Sequence, residues 1–127
     1  MRFKKTITGL TLSMLLSSGT ANADWGDVYY CQSTNDLRIT LEGKQTNYKL
    51  GKFQFKLDQT KNAMVFGSTG YFQDEVIELK IGAHWPSQEM WYANDEYSMT
   101  YFNKGKFLFT FNGRTGIKSI SADCEKF

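Results

Sequence analysis

Apolar and polar residues alternate with a period of two in one segment after another. Leu37, Ile39 and Leu41 alternate with Arg38, Thr40 and Glu42. Phe53, Phe55 and Leu57 alternate with Lys52, Gln54 and Lys56, and Ile77, Leu79 and Ile81 with Glu78 and Lys80. Phe107, Phe109 and Phe111 share one side while Lys106 and Thr110 share the other. Farther on, Ile120, Ala122 and Cys124 oppose Ser119, Ser121 and Asp123. Successive side chains on a strand point to opposite faces, so each run predicts a strand with one buried and one solvated face. Less regular strands are expected at residues 28–32, 63–66, 89–93 and 97–102.

Turn signals separate these runs. The stretch 58–62 is short and polar, Asn94-Asp95-Glu96 divides two aromatic segments, and Asn103-Lys104-Gly105 places glycine where φ can be positive. Asn112-Gly113 is a strong hairpin dipeptide. Residues 68–74 and 82–88 read as irregular, the latter holding Pro86, the sole proline. Turns spaced about 8–12 residues apart predict an all-β fold of successive hairpins. We expect a small antiparallel β-barrel, a meander of about eight or nine strands, because closure removes exposed edges. A two-sheet β-sandwich is the alternative.

The first 23 residues follow a different rule. Arg2, Lys4 and Lys5 precede a mostly apolar stretch, 7–16, and Ala21-Asn22-Ala23 has the A-x-A form of a cleavage site. This predicts a signal peptide at 1–23 and one β domain at 24–127. The apolar stretch is half the roughly 20 residues a spanning helix needs, which argues against an uncleaved anchor. Asp24, not Cys, follows the site, so a lipoprotein anchor is not expected either. The expected location is the periplasm or the medium, and the lack of an Asn-x-Ser/Thr sequence fits a bacterial source.

Removing the leader changes the charge. The full chain carries 15 basic and 13 acidic residues; without Arg2, Lys4 and Lys5, 12 face 13, a net charge of −1. Such a balance provides no electrostatic footprint for nucleic acid and no polybasic membrane patch. Cys31 and Cys124 are the chain's two cysteines. In an oxidising compartment they should pair, and bonded cysteines need Cα atoms within about 7 Å. The N- and C-terminal strands of the domain are therefore expected to be neighbours joined by a disulfide.

Candidate chemistry is sparse. His84 is the one histidine, which limits general-base pairs and leaves no two-histidine metal site. The pairs Asp74/Glu75 and Asp95/Glu96 are adjacent, and adjacent residues on a strand face opposite ways, so spacing alone makes no carboxylate dyad. The stretch from Lys104 to Phe111 loosely resembles an RNA-binding strand, but Lys106 interrupts its Gly-Phe step, and core phenylalanines explain it better. Trp85, Trp91, Tyr92 and Tyr97 flank two loops and form the candidate binding rim. No cofactor and no metal are expected.

Tyr30-Cys31, Phe53-x-Phe55, Gly70-Tyr71-Phe72 and the run Cys124-Glu125-Lys126-Phe127 resemble small exported β proteins with a Cys-Glu-Lys-Phe terminus, a likeness that implies no particular activity. The chain is also similar to periplasmic barrels that inhibit C-type lysozyme, which begin near Tyr-x-Cys and carry a disulfide; their Ser-Gly-x-x-Tyr segment is missing here. The expected function is that of a non-enzymatic, monomeric exported barrel binding a small ligand or a protein partner. The alternatives are an inhibitor of an extracytoplasmic cell-wall hydrolase, or an enzyme using Asp, Glu, Tyr or His84.

Overall fold

The computed structural model describes residues 23–80 and 90–127. The expected leader up to Asn22, together with Ile81, His84, Trp85 and Pro86, lies outside them. Nine strands are described: β1 Val28–Thr40, β2 Gln45–Asn47, β3 Lys52–Asp58, β4 Ala63–Phe66, β5 Val76–Glu78, β6 Trp91–Asn94, β7 Ser98–Asn103, β8 Lys106–Gly113 and β9 Gly116–Lys126. No helix occurs among the described residues. The strands lie in the order β5-β4-β3-β1-β9-β8-β7-β6, every pair antiparallel, with β2 beside the far half of β1. The result is a nearly closed up-and-down barrel, sealed between β1 and β9, with no ladder between β5 and β6 among the described residues.

The alternating runs place the core. On β3, Phe53, Phe55 and Leu57 are buried; Phe107 and Phe109 on β8 and Ile120 and Ala122 on β9 meet them inside. Phe55 touches the rings of Tyr29, Phe66, Phe102 and Phe107 at centroid distances of 5.1 to 6.0 Å. These are the separations at which tilted and edge-on rings attract. Phenylalanine is thus the commonest residue of the interior. The barrel is held shut by the β1–β9 ladder, where Cys31 and Cys124 stand directly opposite each other and are bonded, with Cα atoms 4.0 Å apart.

One residue changes which side of β1 is wet. Ala122 pairs with Ser33 and Ser121 with Asn35, so Thr34 is an extra residue, a β-bulge. Before it, Tyr29, Cys31 and Ser33 point inward. After it the parity is reversed. Asp36 stands opposite buried Ile120 and Arg38 opposite Lys118, so these polar residues take the inner side. Leu37 and Ile39 turn outward opposite Ser119 and Ile117, and Leu41 beyond the strand is 76% exposed. The expected buried face of Leu37, Ile39 and Leu41 is therefore corrected. A period-two pattern says which residues share a side, and an inserted residue decides which side that is.

The hairpins show a similar displacement. Lys104 and Gly105 both have positive φ, 51° and 79°, as a type I′ turn requires. Asn112-Gly113, in contrast, stays in β8. The turn falls at Arg114-Thr115, with Gly113 opposite Gly116.

Candidate functional site

The open seam between β5 and β6 is the most distinctive feature of the surface. Among the described residues β5 pairs with β4 and β6 with β7, and neither forms a ladder with the other. Lys80 N donates to Tyr92 O at 3.0 Å and pins one end. Leu79 is anchored there by Asn62, whose backbone oxygen accepts from Leu79 N at 2.8 Å and whose Nδ2 donates to Leu79 O at 2.9 Å. Away from this pin no ladder joins the two edges among the described residues, and a cleft of about 670 Å³ opens there.

Its floor is set by strand register. Ala93, Thr100 and Phe109 stand opposite one another across β6, β7 and β8, all on the inner side and all buried. Two small side chains therefore stand beside Phe109 on the inner wall, and the cleft lies over them. Phe72 and Leu79, also buried, complete the floor. Tyr71, Glu75, Glu78, Lys80, Asp95 and Phe111 are placed around it.

Asp95 has a settled role. Its Oδ1 accepts from Tyr97 N at 2.8 Å, Ser98 N at 2.9 Å and Ser98 Oγ at 3.1 Å, which closes the β6–β7 turn. The backbone donors at Tyr97 and Ser98, with help from the Ser98 hydroxyl and nearby Lys80, hold its carboxyl below the usual range. Its neighbour Glu96 is exposed. In the other acidic pair, Asp74 has φ of 59° and donates its N–H to Gly67 O at 2.8 Å within a turn, while Glu75 reaches the cleft.

A smaller cavity of about 370 Å³ lies nearby, with Ser33, Asp36, Gly51 and Phe53 in its wall. Tyr71 and Phe72 line both cavities and separate them. At this end Lys118 is held among tyrosines. Its Nζ is 2.9 Å from Asp36 Oδ1, 4.0 Å from the Tyr48 ring centroid and 4.8 Å from that of Tyr71.

The described members of the expected aromatic rim do not gather. Trp91 is 3% exposed and sits edge-on to Trp25, with centroids 4.9 Å apart. Tyr92, next to it, points the other way, onto the outer wall, where it packs on Tyr101 at 5.1 Å. Tyr97 is 55% exposed and pairs loosely with Phe111 at 6.5 Å. Trp85 and His84 lie outside the described residues. In the segment that resembled an RNA-binding strand, Phe107 and Phe109 are core, so their rings are closed to bases. Sequence reasoning missed Ala93, Thr100 and Glu78, and set Glu75 aside with its neighbour Asp74. The available signal was two small residues at inner positions of a phenylalanine-rich barrel. Among the described residues no group of three His, Cys, Asp or Glu side chains could hold a metal ion.

The chain matches no protein-family model, no curated protein and no solved structure. Its function has to be argued from this geometry.

Proposed function

We propose that this chain is a non-enzymatic, exported β-barrel binding protein whose small, largely apolar ligand enters the cleft between β5 and β6. One observation carries the reading: a cleft of about 670 Å³ with a buried floor of Phe72, Leu79, Ala93, Thr100 and Phe109. Ligand sites typically enclose about 300–1,000 Å³ and are mostly apolar with a few polar groups. The fixed carboxylate of Asp95 suits a charged wall better than proton transfer, since a general acid or base works best with its pKa near the operating pH. The leader pattern and the Cys31–Cys124 bond support export.

The test is fluorescence titration with the neutral apolar probe N-phenyl-1-naphthylamine. Wild type should show saturable enhancement at concentrations up to roughly 1 mM, the weak limit of a useful site. Ala93→Phe should fill the cleft and abolish the signal while circular dichroism shows an intact sheet. Thr100→Leu serves the same purpose if the first variant does not fold. Wild type without saturable binding, or a folded filled variant that still binds, would overturn the proposal.

A further inference from the structure

We infer that Tyr71 sets the length of the ligand. Its ring is the end wall of the cleft, so the site holds a short apolar chain and stops a longer one from running on into the second cavity. This rests on the binding reading above and deepens it.

The cavities of about 670 and 370 Å³ share two lining residues, Tyr71 and Phe72. Phe72 is 2% exposed and packs edge-on against Phe53, Phe107 and Phe109, so it belongs to the core. Tyr71 is 53% exposed and forms the outer part of the wall. Beyond it the second cavity offers apolar surface, with Leu50, Phe53 and Ile120 in its lining. A chain that passed Tyr71 would keep gaining from burial, and the ring is what prevents it.

A second observation is that the ring and its backbone are held in place. Tyr71 sits edge-on to Phe72 with centroids 5.0 Å apart, and 6.0 Å from the Phe109 ring. Lys118 Nζ lies 4.8 Å from its centroid, within reach of a cation–π attraction. Lys118 is itself fixed by Asp36, 2.9 Å away, and by the Tyr48 ring. These two charged side chains are only 17% and 14% exposed. Such a pair is often no more stabilising than apolar residues of similar volume, so its place beside the ring calls for another role. The bulge at Thr34 is what brings Asp36 to the inner side. Gly70 fixes the backbone: its φ is +88°, and a Cβ there would lie 2.6 Å from Lys52 O and 2.9 Å from Phe53 Cβ. Glycine alone fits so close to β3, and Tyr71 follows it directly.

The experiment is a chain-length series, n-hexanol to n-tetradecanol, read by displacement of N-phenyl-1-naphthylamine from the folded, disulfide-bonded domain. Each added methylene should tighten binding about fourfold until the chain reaches Tyr71, and longer alcohols should gain nothing more. Tyr71→Ala should leave the short alcohols unchanged and let the gain continue into longer ones. Tyr71→Phe keeps the ring and should keep the wild-type limit. The double variant Asp36→Leu/Lys118→Met removes both charges and strands neither. With its circular dichroism unchanged, its limit should also move to longer chains. A gain that continues through the whole series in wild type, or a limit that Tyr71→Ala leaves in place, would overturn the inference and leave the cleft reading standing. So would naphthylamine binding that no alcohol displaces. An unmoved limit in the folded double variant would overturn the role given to the ion pair. Failure of the alcohols and the naphthylamine alike to bind wild type would remove the binding reading itself.

Discussion

Replacing Cys31 and Cys124 together by alanine removes the covalent tie between β1 and β9 but leaves their ladder. The cysteines are 93 residues apart in sequence. The chain-entropy relation then assigns the bond about 4.6 kcal/mol, arising in the unfolded chain. The folded side of the balance should change little, because 11 register pairs already align the two strands around the bond. A domain of this class has about 5–15 kcal/mol of total stability, so the loss would take a large share of it. At about 4–8 °C per kcal/mol, the melting temperature should fall by roughly 18–37 °C. Urea titration followed by circular dichroism would measure the loss directly. The m-value should rise, since an unfolded chain free of its 93-residue loop exposes more surface. A loss under about 1 kcal/mol with an unchanged m-value would refute the reasoning, because it would mean that the unfolded chain keeps β1 and β9 together without sulfur.

Two further outcomes are expected. Gly116 has φ of 154°, and a Cβ there would run into the Ile39 carbonyl oxygen and Thr40 Cα, so Gly116→Ala should cost about 1–3 kcal/mol in urea unfolding. In Gly113→Ala the new Cβ meets the edge of the Phe111 ring, which can shift, so that variant should lose less; the reverse order would contradict the contact. Burial, reinforced by nearby Asp27, pushes the Tyr29 hydroxyl up to about 12. Its unfolded counterpart ionises near 10, so the folded state binds more protons between these values; the stability is fully present below about pH 10 and is lost as pH rises toward 12. Tyrosinate absorbance and circular dichroism should report steeper alkaline unfolding in wild type than in Tyr29→Phe, and identical profiles would exclude the effect.

The barrel was legible because its signals are redundant. Phe53, Phe55 and Leu57 mark a half-buried strand by spacing alone, and Cys31 and Cys124 state that distant strands meet. The wet and dry sides of Leu37 and Ile39 were not legible, since a bulge at Thr34 leaves no mark in a pattern that is periodic on both sides of it. The site was less visible still. Trp91 reads as a rim residue until Trp25, which lies outside any alternating run, packs against it. Ala93 and Thr100 carry no chemistry that a sequence announces. They matter through their small volume opposite Phe109, and volume acts only after register has placed them together.

The seal between β1 and β9 also orders events in time. Chains emerge in sequence, and β1 is made long before the strand that completes it. Until β9 arrives, one margin of β1 and the facing margin of β8 are bare, two sheets with raw edges of the kind that recruit other chains. Local hairpins such as β7–β8 can form early, but the contact that turns a curled ribbon into a barrel spans most of the domain, which makes folding slow for its size. The molecule therefore passes through a period in which it is nearly all present and still unfastened.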